Sequence, residues 1–139
     1  MSGKTFIDSN ILLYAHDLDA GKKRSMAEEA LRELWASRSG VVSPQVLQEF
    51  YVNATRKLAK PLTKEFAQSI VEQYANWCIE TTSAEVLSAF RIERDAKISF
   101  WDALICASAL KAGATVLLSE DMNAGQHIAG LSIQNPFAR

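Results

Sequence analysis

The chain is short of the residues that many catalytic and metal-binding motifs require. It holds two histidines, His16 and His127, and two cysteines, Cys78 and Cys106. Neither histidine has a partner histidine or cysteine at zinc spacing, so zinc is not the expected metal. His16 reads as a packing or surface residue. No glycine-rich run suits a phosphate-cradling loop. Ser43 and Ser119 each follow an expected strand, yet no serine–histidine–acid set accompanies them. Both cysteines lie in apolar runs, which predicts buried free thiols and a reduced, cytoplasmic setting. No apolar run approaches the ~18 residues of a membrane span, and Met1 to Thr5 carries no stretch resembling a signal peptide. The net charge is −1. No global field therefore draws in nucleic acid, and any such affinity must rest on local basic groups.

What remains is an ordinary soluble composition, 48% hydrophobic and 22% charged, over 139 residues, a length that fits one domain. Lys4 to Asp8 reads as a buried strand and Asn10 to Ala15 as a helix. Asp17 to Gly21 has turn chemistry. Ser25 with Glu28 forms a capping-box pattern opening a helix whose inner face is Ala27, Leu31, Leu34 and Trp35. Gly40 to Ser43 is expected as a second strand. Ser43-Pro44 then starts a helix with Val46, Leu47, Phe50, Ala54 and Leu58 inward. Thr63 caps a helix to about Tyr74, and Trp77 to Thr81 reads as a third strand. Thr82 with Glu85 is a second capping box, leading a helix through Val86, Leu87, Phe90 and Ile92. Ser99 to Ala112 is a helix closed by Gly113. Thr115 to Leu118 is a further strand, and Leu131 to Gln134 the last, at an edge. Strands alternating with helices predict an α/β fold with a mostly parallel sheet.

Four acidic residues fall where a strand ends or a helix begins: Asp8, Glu49, Asp102 and Asp121, the last with Glu120 beside it. In an open parallel sheet ligands bind at the carboxyl ends of the strands, so these four are expected to meet. Two carboxylates ~4 Å apart repel by roughly 4 kcal/mol at an effective dielectric near 20. Such a cluster calls for a cation, and hard oxygen donors suit Mg²⁺, with Mn²⁺ as the alternative. Asp102 is the only charged residue from Ile98 to Leu110, in a segment apolar almost all round. A helix of that kind is buried. Its acid is either metal-bound or a helix-start residue favoured by the macrodipole behind Ser99. Asp8 has an N-cap alternative, and Glu49 a surface alternative. Glu120 competes with Asp121 for the fourth position. Among basic residues, Arg56, Lys57, Lys60 and Lys64 are the preferred group for phosphates flanking the acids, with Lys22 to Arg24 next.

Asp8-Ser9-Asn10-Ile11-Leu12, Glu49 within a helix, Ser99-Phe100-Trp101-Asp102-Ala103 and Leu118-Ser119-Glu120-Asp121-Met122 together resemble the acidic motifs of PIN domains. Length and element order resemble the VapC-type toxins of toxin–antitoxin pairs. The resemblance covers nearly the whole chain and implies a single PIN-like domain over residues 1–139, built as an α/β/α sandwich. It implies a Mg²⁺-dependent endoribonuclease, dimeric and blocked by a small antitoxin, whose products carry 5′-phosphate and 3′-hydroxyl ends. Asp8, Glu49, Asp102 and Asp121 match the acidic quartet, Ser119 the small hydroxyl residue and Asn10 the polar residue after the first aspartate. Acidic Glu120 departs from the commonest pattern. The alternatives are a catalytically inactive PIN fold serving as an interaction module, or a PIN nuclease outside any toxin–antitoxin pair. A phosphoryl-accepting regulatory domain fits less well, because paired acids after the first strand and a late-strand lysine are missing.

Overall fold

The computed structural model describes residues 3–138. Strand β1 (Lys4–Ile7) buries Phe6 and Ile7 completely, as a strand covered on both faces must. Helices α1 (Ser9–Ala15) and α2 (Lys22–Ser37) lead to β2 (Gly40–Val41). Helices α3 (Pro44–Arg56), α4 (Lys64–Tyr74), α5 (Ser83–Ala96) and α6 (Phe100–Lys111) follow, then β3 (Ala114–Leu118), β4 (His127–Ile128) and β5 (Leu131–Gln134). The sheet runs β2-β1-β3-β5-β4, parallel except for β4 against β5. Helices α1 to α4 pack among themselves, while α5 pairs with α6 and α6 lies on β3. The sheet is mostly parallel, as the alternating pattern predicts, and the architecture is the α/β/α sandwich that the resemblance implies. Among the described residues, no helix is long and apolar enough to cross a membrane.

This topology has a functional consequence. From β1 the chain crosses to β2 on one side, and the later strands β3 and β5 lie on the other. The connections therefore diverge between β1 and β3. That is the switch point at which open α/β sheets leave a crevice beyond the carboxyl ends of the strands. Asp8 immediately follows β1, and Ser119 immediately follows β3.

Several helix ends follow the sequence closely. Ser43 and Pro44 occupy the N-cap and first position of α3. Thr63 accepts the Phe66 N–H at the start of α4. Thr82 and Glu85 form the reciprocal capping box of α5, and Ser99 accepts the Asp102 N–H at 3.1 Å to start α6.

Four expectations are corrected. Helix α2 begins at Lys22, not at Ser25: Gly21 supplies the positive φ (59°) of the preceding turn, and Lys22-Lys23-Arg24 are good helix formers, so Ser25 lies inside the helix and no side chain caps it. Trp77 to Thr81 is not a strand. Ala75–Trp77 forms a 3-10 turn, and Cys78 alone bridges to Val42, in parallel. The Trp77 ring is committed instead to Trp35 (4.4 Å between centroids) and Tyr74 (5.0 Å), and it lies across Gly40. Leu131–Gln134 is not the edge, because β4 covers it through a two-residue turn, Ala129-Gly130, with φ of 52° and 93°. Positive φ at both residues is the mark of the tight turns that match strand twist.

The last correction concerns the face of α6, and α5 shows a face that the sequence did not indicate. On α5 the buried stripe is Glu85, Ala89 and Ile92, while Leu87 and Phe90 are exposed. The Glu85 carboxylate turns inward to cap the Thr82 N–H (2.7 Å) and accept from Lys111 (3.4 Å), which sets the helix rotation. Helix α6 is not buried all round. Its face from Ala103 to Ala109 is, but Trp101 is 62% exposed and Asp102 half-buried.

Candidate active site

Asp8 is the most enclosed of the acids, at 6% exposure. Its backbone N–H bonds Leu118 across the β1/β3 boundary (3.0 Å), which extends the sheet register and fixes where the side chain emerges. One carboxylate oxygen accepts the Ser9 N–H (2.7 Å), so Asp8 also caps α1. The other accepts the Ser119 hydroxyl (2.8 Å) and, at longer range, the Asn10 amide (3.4 Å). The N-cap role and the strand-end role thus belong to the same residue.

Asn10 and Ser119 carry this network to Asp121. The Asn10 amide donates to Asp121 Oδ2 (3.1 Å), and the Asp121 N–H donates to Ser119 Oγ (3.2 Å). On the other flank, Ser9 Oγ donates to Glu49 Oε1 (3.1 Å) and Gln45 Nε2 to Glu49 Oε2 (3.2 Å). Glu49 is therefore drawn toward α1 instead of standing free on the surface. Asp102 lies on α6 one turn before Cys106, the i,i+4 spacing of one helix face. The thiol of Cys106 is pushed up to about 12, chiefly by burial and further by the charges of Asp102 and Asp8 beside it.

The electrostatics agree with this geometry. Burial pushes the Asp8 carboxyl up to about 6, despite the Ser119 and Ser9 hydrogen bonds that favour its charge, and the charges of Glu49 and Asp121 add to the rise. Burial also raises Asp102; the Ser99 hydrogen bond opposes this, and the Asp121 charge adds to it. Among the described residues, no lysine or arginine forms an ion pair with Asp8, Glu49, Asp102 or Asp121. Nor do three of the histidine, cysteine, aspartate or glutamate side chains stand close enough to be a ready-made metal cage. The donor set is nonetheless all carboxylate oxygen, which fits a hard divalent cation in kind.

Glu120 behaves differently from its neighbour. Its carboxylate accepts the Tyr14 hydroxyl (2.6 Å) and pairs with the Lys23 ammonium. Burial works to raise it, but Lys23 and Tyr14 outweigh that and hold it below the usual carboxylate range. The basic group expected to flank the acids forms no ion pair with them among the described residues. Arg56, Lys57, Lys60 and Lys64 are exposed, and Lys60 pairs with Asp19 at 3.7 Å. Arg56 lies seven residues past Glu49, roughly 10 Å along the helix. His16 packs edge-to-face on Phe50 (5.9 Å), and burial lowers its pKa. Sequence reasoning missed Ser9, Gln45 and Tyr14, and weighed Lys23 only as part of a phosphate-binding run. Adjacency to Asp8 flagged only the first.

The profile of the PIN domain family matches residues 5–127, from the start of β1 to the start of β4. The chain belongs to the PIN domain family. The same fold is seen in a toxin–antitoxin complex from Klebsiella pneumoniae (TM-score 0.71, 19% identity, 96% of this chain and 98% of that one). It is seen in VapBC2 from Rickettsia felis bound to a DNA fragment from their promoter (TM-score 0.65, 18% identity, 94% and 97%). A third similar structure is Mycobacterium tuberculosis VapC20, a sarcin–ricin loop cleaving toxin (TM-score 0.60, 18% identity, 82% and 87%). At these identities the likeness speaks for the PIN fold alone. A comparison with curated protein sequences finds no match.

Proposed function

We propose that this PIN domain is a metal-dependent endoribonuclease, the toxin of a toxin–antitoxin pair, formed by the whole chain as one domain. One observation carries the reading. A buried carboxylate raised to about 6, Asp8, sits at the sheet's switch point beside further acids with no cationic partner among the described residues. A structural acid in that position would be expected to have acquired a lysine or arginine, because an unpaired buried charge is costly.

On this reading Asp8 and Asp102 hold Mg²⁺ or Mn²⁺, with Glu49 and Asp121 completing the set directly or through water. A divalent ion held there supplies Lewis acidity toward a phosphodiester and acidifies water at neutral pH. The chain's own contribution is orientation. Ser119 and Asn10 aim Asp8 and Asp121, Ser9 and Gln45 aim Glu49, and Ser99 fixes the first turn of α6 under Asp102. These donors are neutral, so they orient the carboxylates without cancelling their charge. Arg56, Lys57, Lys60 and Lys64 would hold more distant phosphates of an RNA lying along α3. The partners are RNA, a small antitoxin and a second copy of the chain, in the cytoplasm.

The test is cleavage of a structured RNA by purified protein with Mg²⁺, with excess EDTA, and with Asp8→Asn and Asp102→Asn. EDTA and each substitution are expected to reduce cleavage at least about a hundredfold, as loss of a transition-state charge stabiliser does. End mapping is expected to give 5′-phosphate products. Wild-type cleavage in EDTA and in both variants would refute the assignment, and an inert wild type would leave a binding module.

A further inference from the structure

Residues 120 and 121 are adjacent acids in a segment with neither helix nor strand, so backbone hydrogen bonding alone does not decide which of them faces Asp8. We propose that Lys23 and Tyr14 clamp Glu120 away from the acidic site and thereby set Asp121 in it, making Lys23, Tyr14 and Glu120 positioning residues for the fourth acid. The proposal rests on the nuclease reading above.

Both Glu120 oxygens are engaged: Oε1 accepts the Tyr14 hydroxyl at 2.6 Å, and Oε2 pairs with the Lys23 ammonium. That ammonium lies over the Tyr14 ring (4.9 Å) and the Phe137 ring (5.7 Å), and these rings meet edge-to-face at 5.1 Å. An ion pair and a hydroxyl hydrogen bond therefore converge on one carboxylate, and cation–π contacts hold the ammonium in place. They tie α1, α2 and the stretch after β5 to the segment after β3. The backbone transmits the constraint. The Glu120 N–H donates to Asn10 Oδ1 at 3.1 Å, while the Asn10 amide donates to Asp121 at 3.1 Å. One asparagine thus reads the position of residue 120 and holds the side chain of residue 121. Releasing Glu120 would slacken that grip and add a further carboxylate to a crevice that already repels itself.

A charge swap separates this from a simple field effect. Lys23→Glu makes the region two charges more negative, so the field alone predicts tighter cation binding. Glu120→Lys does the reverse. The clamp predicts that both single variants bind Mn²⁺ more weakly. The expected loss is about tenfold, within the range for residues coupled in one hydrogen-bond network, and the double swap returns to within about threefold of wild type. Mn²⁺ dissociation constants are measured by electron paramagnetic resonance on metal-free protein, with thermal melts confirming that each variant folds. Tyr14→Phe removes only the hydroxyl; it is expected to weaken binding by about threefold, and it carries the test if Lys23→Glu does not fold. Lys23→Glu binding as tightly as wild type or tighter would overturn the clamp. So would a double swap as weak as Glu120→Lys, since Glu120 itself would then be required; a folded Tyr14→Phe with unchanged affinity would also overturn it. A wild type that binds no Mn²⁺ overturns the nuclease reading and the clamp together. Wild-type binding that Asp8→Asn abolishes but the clamp variants leave intact overturns the clamp alone.

Discussion

Replacing Asp8 by asparagine removes a negative charge from a site that is 6% exposed and keeps the shape of the side chain. In the folded protein the Asp8 carboxyl is raised from 3.8 to about 6. Between those values the native state holds a proton that the unfolded chain has released. Stability therefore falls as pH rises from about 4 to about 6 and stays low above that. The loss is about 3 kcal/mol, roughly two pKa units at 1.36 kcal/mol each. Asparagine does not titrate and escapes it. Against this, the variant weakens the charge-assisted bonds from Ser119 (2.8 Å) and the Ser9 N–H (2.7 Å), at a cost of about 1 kcal/mol. The net expectation in EDTA at pH 7.5 is a gain of about 2 kcal/mol. With a urea slope near ~2 kcal/mol/M, that is an unfolding midpoint about 1 M higher. At pH 4 the gain should vanish. A variant less stable than wild type at pH 7.5, or equally stabilised at both pH values, would refute the argument that burial and acidic neighbours strain Asp8.

Mg²⁺ or Mn²⁺ at ~100 times its dissociation constant should stabilise the wild type by about 2.7 kcal/mol and Asp8→Asn by far less, read as a thermal shift; identical shifts count against a site at Asp8. Ala129→Asn should stabilise the β4–β5 hairpin by about 0.5–1 kcal/mol, because Asn tolerates the positive φ of 52° that Ala adopts there at a cost; denaturant melts check it, and a loss of stability would mean that the turn is not the tight type. Neutralising Arg56 and Lys57 together should weaken RNA binding for all sequences alike and lower its salt slope by about 2, while leaving the metal shift intact; an unchanged slope would make the group plain solvated surface.

The fold was legible where one residue type has one job. Thr63, Thr82 with Glu85, and Ser99 each mark a helix start by satisfying backbone donors, and Ser43-Pro44 marks one through the proline at the first helical position, where no donor is needed; both are local requirements that sequence displays directly. It was less legible where long-range packing overrides local pattern. Trp77 to Thr81 has strand-like composition, yet Trp77 joins the Trp35–Tyr74 cluster and the chain makes only one bridge. Strand β4 is two residues long and turns on Ala129-Gly130, without the Asn-Gly signature that would announce it. On α5 Leu87 and Phe90 face outward while an inward glutamate completes the cap.

The candidate site divides along the same line. That Asp8 and the Ser119–Asp121 segment lie close together follows from the sheet's switch point, which the alternation of strands and helices foreshadows. Which of Glu120 and Asp121 faces inward does not, because on the proposed clamp the answer depends on residues 97 and 106 positions away. Lys23 reads in sequence as one member of a basic run ahead of a helix expected to start at Ser25, and Tyr14 as one residue of a short apolar helix. Only the folded chain brings an ammonium and a phenol onto one carboxylate, with a second aromatic ring beneath the ammonium. The contrast between the two acids then has a physical basis. Glu120 is charge-neutralised and held below the ordinary carboxylate range. Asp8 is met by hydroxyl and amide donors and Asp102 by Ser99 alone, and burial pushes both above it. A carboxylate already matched to a lysine has little to gain from a metal, whereas acids held in place by neutral donors keep their mutual repulsion until a cation arrives. On the proposed reading, that difference in partners separates a positioning acid from a ligand.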